Sequence, residues 1–529
     1  MYPQLDEKKV LFITQPCMFR GYTGTRINAA TQVYPIQAYL WLSGWLKKLG
    51  LKTIVFDMGV RDAQMARCWK ELVRYLLEEK PKYIGMTVTT PLYYESKLIG
   101  MIAKQVLGPD VVIVHGGVHA SALFKESLTD SMCDVVVIGE GEITFGEICQ
   151  GKPLKEIQGI AYREDTDRQM ALNADQIIGR LEKGEEAYFI QKDAVVSLNP
   201  VVKQTASRPF MTVSDLDNVP FQDLDLYDIR RYRNPRIIAK SHPLIQFETS
   251  RGCPFRCSFC SAENEYRPMS PDRVIAELKY YHRYGIKEVR ITDDQFLVDI
   301  DRGMVIAEKI LEAGLRFDIN FGNGVRADRC TREFLKLFKR AGLYQIGAGF
   351  ESGDEEALAS INKKLTIDKS IAVMRLFREI GVEVVGFFMI GTPGDTVVSM
   401  QKTIDFAKQL MPDFAKVTIC IPFPDTALYA EYEKKGLIKK PQRWDHYNIH
   451  KAAGVYTHPN PDLTADVLYE WYLKFYREYY KNPKYIARQL AKSISNGSII
   501  WKGATAARTF FPRIFRTSPM DNLKANYKG

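Results

Sequence analysis

Three cysteines stand close together near the middle of the 529-residue chain, and their side chains could bind metal. Cys253, Cys257 and Cys260 have the spacing C-x3-C-x2-C and follow directly on an apolar run. Thiolates are ligands for zinc and for iron–sulfur clusters. Structural zinc requires four protein ligands, and neither His242 nor His282 lies at the usual spacing for a fourth. Three cysteines on one short loop can hold three irons of a cubane and leave the fourth iron open. Three unrelated buried cysteines are the alternative, although free cysteines are usually scattered along a chain.

The cysteine trio lies at the start of a region in which apolar segments alternate with helical stretches. Six segments have the apolar, β-branched composition of buried strands, at about 244–249, 288–292, 316–321, 344–350, 383–390 and 416–421. The trio follows the first of them. This alternation predicts an open, partial (β/α)6 barrel, whose chemistry lies at the C-terminal ends of the strands.

The first 150 residues show a second alternation of strands and helices. Short apolar runs at 10–13, 53–56, 83–86, 111–114 and 135–138 predict an α/β fold with a doubly wound, Rossmann-like parallel sheet. Ligands on such sheets bind beyond the carboxyl ends of the strands. The residues expected at those ends are Thr87, Thr89, Gly116, Gly117, His119, Gly139 and Glu140.

These patterns divide the chain into four parts. We predict a Rossmann-like domain over 1–150, a connecting segment over 151–240, the partial barrel over 241–430 and a mostly helical region with a basic tail over 431–529. The size agrees with more than one packed core.

The charge and cysteine content exclude some classes of protein. The N-terminus does not resemble a secretory signal, and no run approaches the ~20 apolar residues of a membrane span. Nine cysteines, an odd number, indicate a reducing cytoplasm. The net charge is +10, but eight Lys and Arg without acidic residues lie between Tyr479 and Met520, so the rest of the chain is close to neutral. This distribution argues against nucleic-acid binding. The aromatic, basic tail predicts peripheral contact with the inner face of the membrane, with a solvated tail as the alternative.

The cysteine spacing, with Phe259 before the last cysteine, resembles the signature of the radical S-adenosylmethionine superfamily. The resemblance implies a [4Fe–4S] cluster whose open iron is chelated by S-adenosylmethionine, and reductive cleavage of that molecule to a 5′-deoxyadenosyl radical. Other segments at strand ends resemble the family's contacts with the same molecule. These are Asp293-Asp294 for the methionine amine, Glu351-Ser352 for the ribose, and Gly391-Thr392-Pro393 beside the adenine. An ordinary barrel turn is the alternative for each.

The front domain resembles the cobalamin-binding domain of the cobalamin-dependent class of these enzymes. Thr87-Val88-Thr89 and Gly116-Gly117 resemble two of the three cobalamin motifs, but Thr14-Gln15-Pro16-Cys17 replaces the D-x-H-x-x-G motif. The departure implies a cobalt without a histidine ligand from that loop. His119 is a candidate corrin contact, and a structural histidine is the alternative. A Rossmann-like domain without cobalamin is the alternative for the whole region.

The pattern is closest to the group that contains the anaerobic magnesium-protoporphyrin ester cyclase and hopanoid-biosynthesis enzymes. The resemblance implies a radical methyltransferase that acts on an unactivated carbon of an apolar lipid or tetrapyrrole, and an electron donor such as flavodoxin or ferredoxin. Cyclisation or oxygenation without methyl transfer is one alternative. A cobalamin or iron–sulfur sensor without catalysis is the other. No general base or substrate contact is assigned.

Overall fold

The computed structural model describes residues 2–16, 34–59, 65–164, 168–170, 172–183, 185, 195–197, 201–234, 239–440, 442–452 and 454–495. The α/β class is confirmed: two separate sheets carry most of the core, and helices cover them.

The front sheet has seven strands in the order β2-β1-β3-β4-β5-β6-β9. Its strands are β1 (Asp6–Thr14), β2 (Lys52–Asp57), β3 (Pro81–Thr87), β4 (Val112–Gly116), β5 (Val135–Val137), β6 (Ile160–Arg163) and β9 (Val202–Gln204). Between β6 and β9 in the chain, β7 (Arg168–Met170) and β8 (Val195–Ser197) form a separate antiparallel pair. Strands β1 to β5 run parallel, as predicted for a doubly wound sheet. Strands β6 and β9 add to its edge in antiparallel pairing, so the predicted connecting segment extends this sheet.

Helices cover both faces of the front sheet. They are α1 (Gln37–Lys48), α2 (Met65–Glu79), α3 (Tyr93–Leu107), α4 (Val118–Ala122), α5 (Phe124–Thr129) and α6 (Glu142–Cys149), followed by α7 (Ala174–Glu182) and α8 (Val213–Asn218). Tyr39 of α1 joins two strands from within the core, because its hydroxyl donates to Ile13 O over 2.9 Å and accepts from Thr87 N over 2.9 Å. These bonds fix the carboxyl end of β3, where the candidate ligand contacts begin.

The second sheet is the partial barrel. Its six strands are parallel, in the order β10-β13-β14-β15-β16-β17. The strands of this region, with the small pair β11–β12, are β10 (Leu244–Phe247), β11 (Ser250–Arg251), β12 (Arg267–Pro268), β13 (Glu288–Ile291), β14 (Asp318–Val325), β15 (Leu343–Glu351), β16 (Glu383–Ile390) and β17 (Phe414–Ile419). All six predicted barrel strands are therefore present.

Five long helices pack outside this sheet. They are α9 (Pro271–Tyr284), α10 (Ile300–Glu312), α11 (Arg332–Ala341), α13 (Ile367–Ile380) and α14 (Val397–Leu410), with the short α12 (Glu355–Ser360) between α11 and α13. Helix α9 illustrates how the sequence sets their ends. The Ser270 side chain accepts from Arg273 N, Pro271 occupies the first turn, and Gly285 ends the helix with φ +91°. Each of these residues suits its position in the helix termini.

The C-terminal region closes the free edge of the barrel. It contains α15 (Ala427–Lys434), β18 (Tyr447–Asn448), β19 (Lys451–Ala452), α16 (Ala465–Tyr480) and α17 (Pro483–Ser495). The Tyr480 hydroxyl bonds both N and O of Ala415 on β17, at 3.1 and 3.0 Å, and the Tyr476 hydroxyl accepts from Val417 N over 3.2 Å. Helix α16 thus satisfies the open backbone groups of an edge strand.

No helix in the described part of the chain is long and apolar enough to cross a membrane. Of the predicted basic tail, the part up to residue 495 is described, and the part from 496 onward lies outside the described residues.

Candidate cofactor-binding site

The cysteine trio lies on the loop that follows β10, as the sequence predicts. The loop is closed at its base, where Ser250 and Arg251 of β11 pair with Arg267 and Pro268 of β12. Gly252 turns the chain with φ +79°, and a Cβ there would fall 2.0 Å from Glu265 O. A glycine is therefore required immediately before the first cysteine.

The three cysteines are accessible and unpaired by disulfides. Cys253 and Cys257 are half-buried and Cys260 is exposed. Within the described ranges, no three His, Cys, Asp or Glu side chains converge closely enough to hold a single metal ion. Three thiolates on one loop match the ligand set of a cubane with one iron left open, whereas structural zinc requires a fourth protein ligand.

A buried arginine links this loop to the front domain. Arg251, two residues before the first cysteine, contacts Glu140 Oε1 at 2.9 Å, Glu142 Oε1 at 2.6 Å and Glu248 Oε2 at 2.9 Å. Arg267 reaches the same Glu140 oxygen over 2.7 Å. We call these five residues the interdomain ion-pair network. It brings the Gly-Glu-Gly-Glu turn after β5 against the base of the cysteine loop.

The charges of this network are distributed unevenly. Burial would raise the pKa of Glu140, but Arg251 and other donors lower it below its usual range. Burial raises the pKa of Glu248 to about 7 against the opposing effect of Arg251. Burial alone would lower the pKa of Arg251, yet the carboxylates, with Glu142 foremost, raise it. The guanidinium is thus charged, and Glu140 carries the paired negative charge. Glu140, predicted as a cofactor contact, has both oxygens engaged, since Oε2 accepts from Met211 N over 2.7 Å.

The two aspartates after β13 occupy different environments. Asp293 is buried and accepts from Thr249 N, Thr249 Oγ1 and Ser250 Oγ at 2.7, 2.7 and 2.5 Å. Asp294 is exposed and accepts from Gly252 N over 3.0 Å. Asp293 therefore fixes the segment that leads into the cysteine loop, whereas Asp294 stays exposed beside Gly252.

Glu351 lies at the end of β15 in the left-handed region, with φ +60°. Its Oε1 is 2.9 Å from Lys363 Nζ. Burial would lower the pKa of Lys363, but Glu351 and Cys257 raise it, so the ammonium stays charged beside the cysteine loop. A non-glycine residue in this conformation is strained and often belongs to a functional site. Ser352 is fully buried and turns to Thr403 Oγ1, 2.9 Å away, on α14.

The segment after β16 is held against the C-terminal region. Gly391 has φ +72°, and a Cβ there would lie 2.8 Å from Leu468 of α16. His458 Nε2 is 3.0 Å from Thr392 O. Pro393 is half-buried, and Phe259 on the cysteine loop packs against the core at its edge.

At the carboxyl ends of its strands, the front domain has glycines whose backbone is not covered by side chains. A Cβ on Gly116 would meet no atom within 4 Å, and one on Gly139 would meet only a Phe210 carbon at 3.9 Å. Gly117, by contrast, has φ +88° and stands close to Thr87, whose Oγ1 would be 2.6 Å from a Cβ. A flat cofactor can therefore lie against Gly116 and Gly139, which fits the predicted cobalamin site. Thr87 and Thr89 are half-buried beside it.

His119 lies in the interior, 1% exposed. Its Nδ1 is 3.3 Å from Thr90 Oγ1, and its ring centre lies 4.7 Å from that of Tyr93 and 5.1 Å from that of Trp444. Burial, with a contribution from the charge of His115, lowers the pKa of His119 to about 3, so the ring is neutral. It packs between Tyr93 of the front domain and Trp444 of the C-terminal region. The loop expected to lack a cobalt ligand continues at 17–33, outside the described residues.

Sequence reasoning missed Arg251 and Lys363. A signal existed for Arg251, because an arginine inside a strand directly before a metal loop needs a buried acidic partner. Lys363 lies in a polar loop, and nothing in its local sequence distinguishes it from Lys364.

Comparison with protein families agrees with the geometry. Residues 247–407 match the model of the radical SAM superfamily, and residues 22–149 match that of the B12 binding domain. The chain belongs to the cobalamin-dependent radical S-adenosylmethionine enzymes. Its cofactors are a [4Fe–4S] cluster, S-adenosylmethionine and cobalamin, and the protein is an enzyme.

Curated relatives include both methyltransferases and cyclases. An uncharacterised methyltransferase of Pyrococcus horikoshii is 29% identical, over 77% of this chain and 81% of its own. The anaerobic magnesium-protoporphyrin IX monomethyl ester cyclase of Cereibacter sphaeroides is 27% identical, over 74% of this chain and 59% of the cyclase. The cytidylyl-2-hydroxyethylphosphonate methyltransferase of Streptomyces wedmorensis is 26% identical, over 80% and 85%.

Among solved structures, the methyltransferase TsrM of Kitasatospora setae, with cobalamin and a [4Fe–4S] cluster bound, superposes with a TM-score of 0.57 at 19% identity. The match covers 82% of this chain and 79% of TsrM. The cobalamin-dependent enzyme OxsB, with aqua-cobalamin and S-adenosylmethionine bound, superposes with a TM-score of 0.55 at 20% identity. That match covers 82% of this chain and 55% of OxsB. These similarities support the two-domain fold.

Proposed function

We propose that the protein is a cobalamin-dependent radical S-adenosylmethionine methyltransferase that acts on an unactivated carbon. The observation that carries the proposal is the interdomain ion-pair network. It joins the strand ends of the cobalamin domain directly to the base of the cysteine loop, so that the two cofactor sites border one space. Enzymes of this kind work largely by positioning, because the cofactors supply the difficult chemistry.

When bound, the cofactors supply a carbon-centred radical and a transferable methyl group. The chain's own residues hold them. We assign the three cysteine thiolates to the cluster, and Asp294, Glu351, Gly391, Pro393 and Phe259 to S-adenosylmethionine. Asp293 and Ser352 position these groups through their buried hydrogen bonds.

On the cobalamin side, we assign the contacts to the backbone of Gly116, Gly117 and Gly139, with Thr87 and Thr89 beside them. Glu140 acts through Arg251. We reassign His119 to packing, because its ring is enclosed by Tyr93 and Trp444.

The substrate is proposed to enter between the two domains. Gln37 at the start of α1 accepts from Thr292 Oγ1, at the end of β13, over 2.9 Å, so residues of the cobalamin domain reach the mouth of the barrel. A substrate held between two domains would be shielded from water, which protects a radical. We propose a lipid or a tetrapyrrole as the substrate, and the Cereibacter sphaeroides relative is a cyclase of a tetrapyrrole, magnesium-protoporphyrin IX monomethyl ester. The exposed Cys260 marks the side from which a donor such as flavodoxin or ferredoxin would deliver electrons.

Ring closure or oxygenation with the same cofactors is the second candidate, supported by the cyclase relatives. A non-catalytic sensor, the other alternative, conflicts with the enzymatic character of these relatives. Product mass separates the first two. With S-adenosylmethionine that carries a deuterated methyl group, a methyltransferase yields a product that contains this label. A cyclase yields a product without it, and a sensor yields none.

We also propose peripheral association with a membrane through α17 and the chain that follows it. Ile486, Leu490 and Ile494 recur at four-residue intervals on α17, and they are 44%, 50% and 66% exposed. An exposed apolar stripe on a basic helix suits the membrane interface. Two of the basic residues are otherwise engaged, since Lys492 pairs with Asp413 at 2.8 Å and Arg488 bonds Met411 O. The apolar stripe therefore carries this proposal more than the charge does.

A further inference from the structure

Two cations face the interior of the partial barrel from opposite sides. Lys416 lies on β17 between the buried residues Ala415 and Val417, and it is exposed. Successive side chains of a strand point to opposite faces. Phe475 of α16 packs 5.4 Å, between ring centres, from Phe388, the register partner of Val417, so α16 lies on the face of Val417 and Ala415. Lys416 therefore points inward. Arg290 lies between Val289 and Ile291 on β13 in the same way.

Three glycines on the strands between these cations make room for the side chains of Arg290 and Phe387. A Cβ on Gly322 would fall 2.0 Å from Arg290 Nε, so the guanidinium lies directly over this glycine of β14. The Phe387 ring lies over Gly324 and Gly347, whose added Cβ atoms would be 2.9 and 2.8 Å from it. Phe387 is the register partner of Lys416 on the neighbouring strand. An aromatic surface and a cation thus stand side by side on the inner wall.

In the part of the chain that the structure describes, no carboxylate pairs with either of these positive charges. Arg290 donates to Gly322 O over 3.0 Å and lies 5.5 Å from the Tyr34 ring. Within the described ranges, neither Arg290 nor Lys416 makes an ion pair within 4.0 Å. The barrel wall shields Lys416 from part of the solvent, although its side chain stays accessible, and this desolvation together with the charge of Arg290 lowers its pKa to about 8. An uncompensated pair of cations is costly inside a protein and favours an anion between them.

The nearest acidic group on the same strand is already occupied. Glu288, two residues before Arg290, accepts from Asn320 Nδ2 and Tyr344 OH, both at 2.7 Å, and from Ser241 N at 2.7 Å. Burial raises its pKa to about 7. The carboxylate of Glu288 is therefore already hydrogen-bonded at the start of β13, and it forms no ion pair with Arg290.

We propose that Arg290 and Lys416 bind an anionic oxygen group of the substrate, a carboxylate or a phosphoryl group, while Phe387 packs against the adjoining carbon skeleton. Arginine offers a planar pair of donors and lysine a point charge, a combination suited to such groups. The inference rests on the proposed function, because it assumes that the substrate enters the barrel. It narrows the substrate class to an amphipathic anion and disfavours a neutral lipid.

Both cations lie below the strand ends where the S-adenosylmethionine contacts are assigned. Arg290 stands three residues before Asp293, and Lys416 stands four before Cys420 at the end of β17. The carboxylate of S-adenosylmethionine is nevertheless a competing anion, so the experiment must separate the two ligands.

The test is equilibrium dialysis of the full-length protein, loaded with cluster, cobalamin and S-adenosylmethionine, at constant ionic strength. Labelled inorganic phosphate and labelled acetate serve as separate probes for the two groups. We expect one of them to bind, and Lys416→Met or Arg290→Met to weaken that binding at least about tenfold, whereas Lys416→Arg retains most of it. Lys369→Met, at an exposed position on α13, is the matched control and should bind like the unaltered protein.

Three results would overturn the inference. These are binding of neither anion, equal binding by Lys416→Met and the unaltered protein, or a parallel loss of affinity for S-adenosylmethionine in the two Met variants. Release of 5′-deoxyadenosine by the unaltered protein is measured separately. Anion binding without that release contradicts the proposed function alone, and release without anion binding contradicts this inference alone.

Discussion

Arg251 Nη2 lies 2.6 Å from Glu142 Oε1, and this contact joins the cysteine loop of one domain to a strand end of the other. The same guanidinium reaches Glu140 at 2.9 Å, and its side chain is 12% exposed. A buried cation held by two domains can transmit a displacement of one cofactor site to the other. The network therefore serves as a positioning device rather than as a source of net stability.

Arg251→Met should destabilise the protein by about 3–5 kcal/mol, because it leaves the buried Glu142 without its partner and removes one of the two arginines that hold Glu140. The midpoint of urea unfolding measures this loss, and retention of cobalamin after gel filtration measures the effect on the other domain. Arg251→Lys should recover little, since one ammonium cannot reach carboxylates on several sides. The control is Arg256→Met, at an exposed position on the same loop. Equal midpoints for Arg251→Met and Arg256→Met would contradict the role given to the network.

Gly116→Trp should abolish cobalamin binding and leave the fold intact. The position has no atom within 4 Å of an added Cβ, so the indole fits the protein but fills the space proposed for the cofactor. Binding of hydroxocobalamin is followed by its visible spectrum, and folding by circular dichroism. The control is Gly179→Trp on α7. Gly179 also has open space around it, so this variant should still bind about one cobalamin per chain. Unchanged binding by Gly116→Trp would remove the cobalamin site from these strand ends.

Glu288 should make the stability of the protein depend on pH. Burial raises the pKa of Glu288 to about 7 in the folded state, from an ordinary value of 4.5. Between these values the folded state keeps a proton that the unfolded state has lost, so stability falls as pH rises through this window, by up to about 3 kcal/mol. Glu288→Gln should lack this decline. The midpoint of urea unfolding, measured across this pH range, tests the prediction, and Glu312→Gln on α10 is the control. If the midpoint of Glu288→Gln depends on pH in the same way as that of the unaltered protein, the prediction is wrong.

The apolar stripe on α17 should drive binding to anionic vesicles. Replacing Leu490 and Ile494 by Glu should sharply lower the fraction that sediments with vesicles, because it adds charge to the face that would enter the interface. Val398→Glu, at another exposed apolar position that is 65% exposed, should sediment normally. If both proteins sediment alike, α17 has no membrane role.

The sequence predicted the features that depend on local pattern. The barrel strands followed from apolar runs between helices, and the cysteine loop followed from spacing alone. Arg290 and Lys416 also had a local signal, a single cation inside a run of buried, β-branched residues, which is unusual in a parallel strand. The sequence did not reveal that both face one space, because that depends on strand order and register.

Other features depend on contacts between distant parts of the chain. The burial of His119 results from Trp444 in the C-terminal region, and no pattern near His119 indicates it. Likewise, the edge pairing of β6 and β9 with the front sheet joins short segments whose periodicity is weak. Tertiary context decides such cases more than local propensity does.

The most direct test of the central claim is the analysis of the nucleoside products of S-adenosylmethionine. The full-length protein, loaded with cluster and cobalamin, is reduced under anaerobic conditions and incubated with S-adenosylmethionine. We predict that both 5′-deoxyadenosine and S-adenosylhomocysteine form, the first from radical generation and the second from methyl transfer. Replacement of Cys253, Cys257 and Cys260 by Ala should abolish the 5′-deoxyadenosine together with the iron, whereas Cys330→Ala should preserve both. The formation of 5′-deoxyadenosine without any S-adenosylhomocysteine would contradict the account.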